Sequence, residues 1–470
     1  MQLTPPISGS DVLRVLVGLT TTLFAVTSHA TPAPAESPEL TPNEPTAPPE
    51  SDDDRKALER ELAAELAAPS APPDASPPAP ATTPSSANPL RLIDISLDLL
   101  GAVGGSSASE EQLRSLQGGG HDPKNQGFTL QNVELTLAGV VDPYLRGDSH
   151  IVLLIDENGE TVVELEEAYL TTLDLPLNLQ LKAGQFFTDF GRLNSSHPHS
   201  WDFVDQPVVS TRFMGPDGLR APGAQLSWLT PLPFFSEAVL SVQNARGETL
   251  PSFLSVAGES VAGRTLLGRE VNGLEDFLYL ARLRTSFDPT DTLTLVVGAS
   301  AAFGPNASGE DTQTRIYGAD FTARWRPLDS DHGWPFVAWQ SEAMFRDYGA
   351  GAVEAGDTLV APEESLGDYG FYSQLLWGFA RPWIIGVRYD QAAGEQSAFA
   401  LDESSYSSET DPLRDERRRL SLVLTYHPSE FSKLRLQYNY DRAQFLSEGD
   451  AHAGYLQFEI LFGAHGAHKF

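Results

Sequence analysis

The stretch GQFFTDFGRLNSSHPHSWDFVDQP, Gly184 to Pro207, gathers side chains capable of chemistry. His197 and His199 flank Pro198, Asp202 and Asp205 follow closely, and Asp189 precedes them. Imidazoles and carboxylates at this density suit a metal, because zinc takes three or four N, O or S ligands in a closed arrangement. A second pair, His465 and His468, lies near the C-terminus. Histidines split by a proline in a loop also suit turn formation and hydrogen bonding, and that is the role expected of His197 and His199. Metal ligation is the alternative for this pair; no cofactor is expected. NSSHPHSWD supplies Ser, His and acid, but neighbours in sequence do not make a triad. The chain has no G-x-S-x-G, no H-E-x-x-H and no phosphate-binding loop. DSDHG, Asp329 to Gly333, begins like a calcium loop, yet Gln340 stands where the closing Glu belongs. No enzymatic activity is expected.

Composition narrows the classes further. A formal net charge of −33 argues against nucleic acid, whose phosphates need a basic face. The absence of cysteine excludes a disulfide scaffold, a thiolate metal site and a lipoprotein anchor. The apolar run Val12 to Val26, followed by SHA at Ser28 to Ala30, fits a secretory signal peptide over residues 1–30. Residues 31–89 are rich in Pro and Ala and read as an extended periplasmic linker. Within it, 52–68 reads as a short helix whose Leu58, Leu62 and Leu66 form one stripe, either an oligomer contact or a spacer.

The elements that must position the histidines come from residues 90–470. Here ten-residue stretches alternate strictly: LRLIDISLDLL sets Ile93, Ile95, Leu97 and Leu99 against Asp94, Ser96 and Asp98, and NVELTLAGV and LNLQLKAG do the same. Period two predicts strands with one apolar and one polar face. Seven short connections carry proline, among them VDPYL, LDLPLN, ARPW and HPSEFS. Longer, mostly acidic connections alternate with them, such as Gly104 to Gln126, Phe190 to Ala221 and Gln391 to Glu416. The count is sixteen strands, seven turns and eight loops. Segregation of short turns from long loops, with an even strand number, predicts an all-β, sixteen-stranded antiparallel transmembrane barrel in a bacterial outer membrane. Trp228, Trp325, Trp377 and Trp383 fall near strand ends, as interfacial girdles require. The terminal Phe470 resembles the aromatic signal by which such barrels are recognised for assembly.

Polar strand faces should then line a lumen. Early strands contribute Asp94, Asp98, Glu134, Glu164 and Glu166. Later ones contribute Lys182, Arg282, Arg284, Arg324, Arg326, Arg388, Lys433 and Arg435. Segregation by sign predicts an acidic wall facing a basic one, with a field across the pore.

VELEEAYLTT, LQLKAGQFFTDFGRLNSSHPHSWDFVDQP and the ending FGAHGAHKF resemble a bacterial group labelled zinc-regulated TonB-dependent outer-membrane receptors. LKAGQFFTDFG more loosely resembles a strand-to-loop junction of porins, including the phosphate-selective type. The first resemblance implies a receptor or transporter for zinc or a metal complex. TonB-dependent receptors, however, have 22 strands and a folded plug, whereas this chain has sixteen candidate strands and a Pro-rich leader segment. A passive channel for small hydrophilic solutes or ions is therefore expected, with the receptor as the alternative. The resemblance to porins implies a homo-oligomer, taken as a trimer, embedded in outer-membrane lipid. It also implies that the third long loop, Phe190 to Ala221, folds into the lumen as a constriction, with Trp201, Phe203 and Phe213 against the wall. Asp189, Asp202 and Asp205 would then face Arg282, Arg284 and Arg388 across a narrow opening.

Overall fold

The computed structural model describes residues 93–155, 159–261, 263–355, 358–394 and 414–463. The expected signal peptide, the linker with its helix, and His465, His468 and Phe470 lie outside the described residues.

Alternation of apolar and polar residues becomes sixteen barrel strands. They are β1 (Asp94–Ser106), β2 (Gly127–Val140), β3 (Leu145–Ile155), β4 (Thr161–Thr172), β5 (Leu179–Phe187), β6 (Arg220–Leu229), β7 (Phe235–Asn244) and β8 (Phe277–Thr290). The second half comprises β9 (Leu293–Pro305), β10 (Gln313–Trp325), β11 (Phe336–Ala350), β12 (Glu364–Ala380), β13 (Trp383–Gly394), β14 (Arg417–Ser429), β15 (Ser432–Ala443) and β16 (Asp450–Gly463). Each strand pairs antiparallel with its sequence neighbours, and β1 returns to β16 with Ser96 opposite Gly463 and Ser106 opposite Ala453. The observed fold is thus the expected closed barrel of sixteen strands. Two small hairpins, Ser260–Val261 with Arg264–Thr265 and Val353–Ala355 with Thr358–Ala361, belong to the long loops. No described helix is long and apolar enough to cross a membrane.

The outward face is apolar. On β16, Leu456, Phe458, Ile460 and Phe462 are 37 to 54 % exposed, while Ala451, Ala453, Tyr455, Gln457 and Glu459, at the positions of opposite parity, are buried. An apolar belt of this kind is stable only against lipid. Trp228, Trp325, Trp377 and Trp383 are exposed on this belt close to the short turns, where indoles suit the membrane interface.

The inward face differs from expectation in its polarity. It is not polar throughout. The loop between β5 and β6 carries α1 (Val208–Met214), and its Val208, Val209, Phe213 and Met214 pack on Leu278, Leu280, Ile316, Met344, Tyr372 and Ala392 from the barrel wall. On β8 the inward residues therefore run Leu278, Leu280, Arg282, Arg284, from apolar at the long-loop end to basic further in. Where a loop helix excludes water from the wall, apolar side chains are the stable choice.

A charged side chain on the lipid face of mid-strand should destabilise the barrel strongly. Leu456→Arg is expected to cost about 2–4 kcal/mol at the bilayer midplane. The measurement is the denaturant midpoint of the lipid-reconstituted barrel, with Ala453→Ser on the inward face of the same strand shifting it far less.

Candidate functional site

The wall formed by β1 to β4 brings carboxylates and imidazoles together. Glu134 on β2 lies directly across from Asp98 on β1. Like charges so opposed repel. Asp98 is only 3 % exposed, and neither of its carboxylate oxygens has a hydrogen-bond partner among the described residues. On β3, His150 pairs across from Thr136 on one side and from Glu167 of β4 on the other. Ile151 then pairs with Leu165, so Glu166 is an extra residue, a bulge. Bulges re-aim side chains, and this one buries the consecutive Glu166 and Glu167 together on the inward face. Strict alternation would have sent one of them into lipid.

The 188–219 segment between β5 and β6 lowers two histidines onto this wall. His197 sets Nδ1 3.0 Å from Glu166 Oε2 and Nε2 3.0 Å from Glu167 Oε2. The same Nδ1 is 3.5 Å from Glu134 Oε2. His150 Nδ1 is 2.7 Å from Glu134 Oε1, and its ring stacks on His197 with centroids 4.4 Å apart. His199 Nδ1 lies 3.3 Å from Glu134 Oε2. His121, in the loop after β1, places Nε2 3.1 Å from Glu166 Oε1. Burial by itself lowers the His197 imidazole, but Glu134, Glu166 and Glu167 together hold it well above its ordinary value.

The same segment is tied to strands on the rest of the wall. Asp205 accepts hydrogen bonds from Arg388 (2.6 Å) on β13, Arg419 (2.9 Å) on β14, and Gln437 (2.9 Å) and Asn439 (2.5 Å) on β15. Burial raises this carboxyl, yet Arg419 and Arg388 bring it below the usual carboxylate range. Gly191 N donates to Ser300 Oγ on β9 at 3.0 Å, Arg192 Nε to Gln340 Oε1 on β11 at 3.0 Å, and Gln374 Nε2 on β12 to Asp202 Oδ2 at 2.8 Å. Arg435 donates to the Trp201 carbonyl, and the Arg388 guanidinium stands 4.6 Å over the Phe203 ring. Phe213 packs with α1 in the apolar cluster.

Other sequence candidates fall elsewhere. Asp94 is exposed at the start of β1. Glu164 pairs with Arg220, and Lys182 lies 4.7 Å over the Tyr169 ring. Asp189 is part-buried and accepts from Ser195 Oγ at 3.3 Å; its carbonyl receives Arg282. Arg284 pairs with Glu237 across the strands at 2.5 Å. Arg326 follows the end of β10 and lies in a turn rather than on a strand wall.

The expected opposition of an acidic to a basic wall is not what the structure has. Arg282 pairs with Asp320 (3.3 Å), Arg346 with Asp368 (2.5 Å), Arg388 with Asp390 (2.9 Å) and Arg419 with Asp441 (2.9 Å). Arg435 and Lys433 both reach Glu459, at 3.7 and 2.8 Å. A buried guanidinium without an acid is costly, so inward arginines come with inward acids. Parity along the strand exposes some of these: Arg388 and Asp390 share a face, as do Arg435 and Asp441. His150 also shares a face with Asp148, a signal that alternation carries. Glu167 is invisible to parity because only the bulge turns it inward.

A closed sixteen-stranded barrel with a lipid-facing apolar belt and a polar, ion-paired interior defines a bacterial outer-membrane β-barrel protein. The chain is 32 % identical over 402 residues to an uncharacterized protein of Aquifex aeolicus (strain VF5), covering 81 % of this chain and 80 % of that one, and it belongs to that protein's family. No family model matches. Among solved structures it is similar in fold to the outer membrane channel DcaP of Acinetobacter baumannii, with a TM-score of 0.50 and 11 % identity over 79 % of this chain and 97 % of that one.

Removing the Asp205 carboxylate should loosen the segment without unfolding the barrel. Arg388 keeps Asp390 and Arg419 keeps Asp441, so the cost of Asp205→Ala belongs at the low end for a broken buried pair, about 3 kcal/mol. Limited proteolysis checks this: cleavage within 194–206 should accelerate while the heat-modifiable barrel band persists.

Proposed function

We propose that this protein is a passive outer-membrane channel for small hydrophilic solutes or ions, narrowed by the 188–219 segment. The observation that carries the reading is Asp205, a loop carboxylate bonded to inward side chains of β13, β14 and β15 while His197 of the same segment meets β4. A segment tied to both walls occupies the cross-section between them. DcaP is described as an outer membrane channel, and the shared fold supports the same coarse role here. The reading includes residues 1–30 as a signal peptide, 31–89 as a periplasmic linker and a homo-oligomeric, trimeric assembly in outer-membrane lipid. A receptor or transporter for zinc or a metal complex, of the TonB-dependent type, is the second reading; the imidazole–carboxylate cluster is what favours it.

Single-channel recording in a planar bilayer tests the proposal. Removing Asn194 to Gln206 is expected to raise conductance, because it takes away the Asp205 ties and both histidines. An unchanged conductance takes the segment out of the solute path, and the absence of ohmic current from either protein removes the channel reading.

Selectivity follows from which charges remain uncompensated. Most inward arginines are neutralised by paired acids, so the acidic loops, with Asp311, Glu354 and Glu363, should set the sign at the mouth. Exposed charges are screened over about 8 Å at physiological salt. Reversal potentials should therefore show a modest cation preference that fades as salt rises. A strong anion preference at low salt would contradict this balance.

A further inference from the structure

We propose that Glu134, His150 and His197 form a binding site for a first-row divalent transition-metal ion, which fastens the 188–219 segment to the β1–β4 wall. One Glu134 oxygen, one His150 nitrogen and one His197 nitrogen lie within 4.8 Å of one another. Ligand atoms around zinc sit about 2.0–2.2 Å from the ion, so donors this close need only small side-chain rotations to share one. His199 Nδ1, 3.3 Å from Glu134 Oε2, is placed to supply a fourth donor.

The surroundings have the features of a built site. A metal-bound imidazole characteristically donates its second N–H to a carboxylate, which fixes the ring. His197 facing the metal through Nδ1 would keep Nε2–H on Glu167, already 3.0 Å away. His150 has the same carboxylate 4.0 Å behind its Nε2. Asp98 gives an independent indication. It is a deeply buried carboxylate with no hydrogen-bond partner among the described residues, directly opposite Glu134. Like charges opposed in a buried setting are costly, and a divalent ion at Glu134 would add to the compensation that Lys433 and the neighbouring histidines provide. Nitrogen donors select transition metals over calcium or magnesium, which prefer oxygen cages. The site stands on side-chain geometry and holds whether or not the barrel conducts.

The test is isothermal titration of the full-length, chelator-treated barrel in detergent with ZnCl2, and separately with CaCl2 and MgCl2. One zinc per chain is expected, with calcium and magnesium failing to compete. His150→Ala and His197→Ala should each weaken zinc binding at least tenfold. Glu167→Gln, which keeps the shape, should weaken it about 10- to 100-fold. Changing His465 and His468 together should leave it intact. Visible d–d absorption of Co2+ in place of zinc gives a readout independent of stability, and each variant is first shown to keep its heat-modifiable fold. Absence of saturable zinc binding overturns the proposal, since His197 is then a protonated imidazole held by carboxylates. Binding that survives both histidine variants but disappears with His465 and His468 also overturns it.

Discussion

Everything in this molecule depends on where its backbone hydrogen bonds go. In hydrocarbon, an unpaired N–H or C=O costs several kcal/mol, so a sheet must close on itself. The pairing of β1 with β16 achieves this, and it turns every strand into a partition between lipid and interior. Alternation then has a strict meaning: one face is sorted by hydrocarbon, the other by whatever fills the barrel. The interior is free to be polar, and here its wall carries charges that neutralise one another.

The 188–219 segment is held by two different chemistries. On one side its contacts are guanidinium and amide groups converging on Asp205; on the other, imidazoles meet carboxylates around Glu134 and Glu166. Between them, Phe213 and its neighbours on α1 provide the apolar packing that dry polar contacts alone do not. Directional bonds fix position, and the apolar cluster excludes the water that would otherwise compete for those bonds.

The barrel was legible because its signals are periodic and redundant. Sixteen alternating stretches, prolines at one end and long acidic loops at the other agree with one another, so an error at one strand does not spoil the count. The interior was legible in part. Parity put Glu134, Glu166 and Arg388 on the inward face, whereas Asp205 was singled out by the composition of its loop. Apart from Arg388 with Asp205, their partners were not legible. Which inward acid meets which inward arginine depends on the register between neighbouring strands, as for Arg346 with Asp368 and Arg419 with Asp441, and Glu166 and Glu167 share a face only through a bulge. The apolar patch formed by Leu280, Ile316 and Met344 was also hidden, because it makes sense only once α1 is seen against it.

Asp205 has a consequence for how the barrel is held together. Its partners Arg388, Arg419, Gln437 and Asn439 come 183 to 234 residues later in the chain. A contact over such separation carries a large loop-closure entropy unless the intervening chain is already ordered. The bonds that hold Asp205 therefore exist only where β13, β14 and β15 are already paired side by side. One carboxylate thus ties a loop of the first half of the barrel to three consecutive strands of the second, so the two halves are cross-linked by a contact other than the sheet itself.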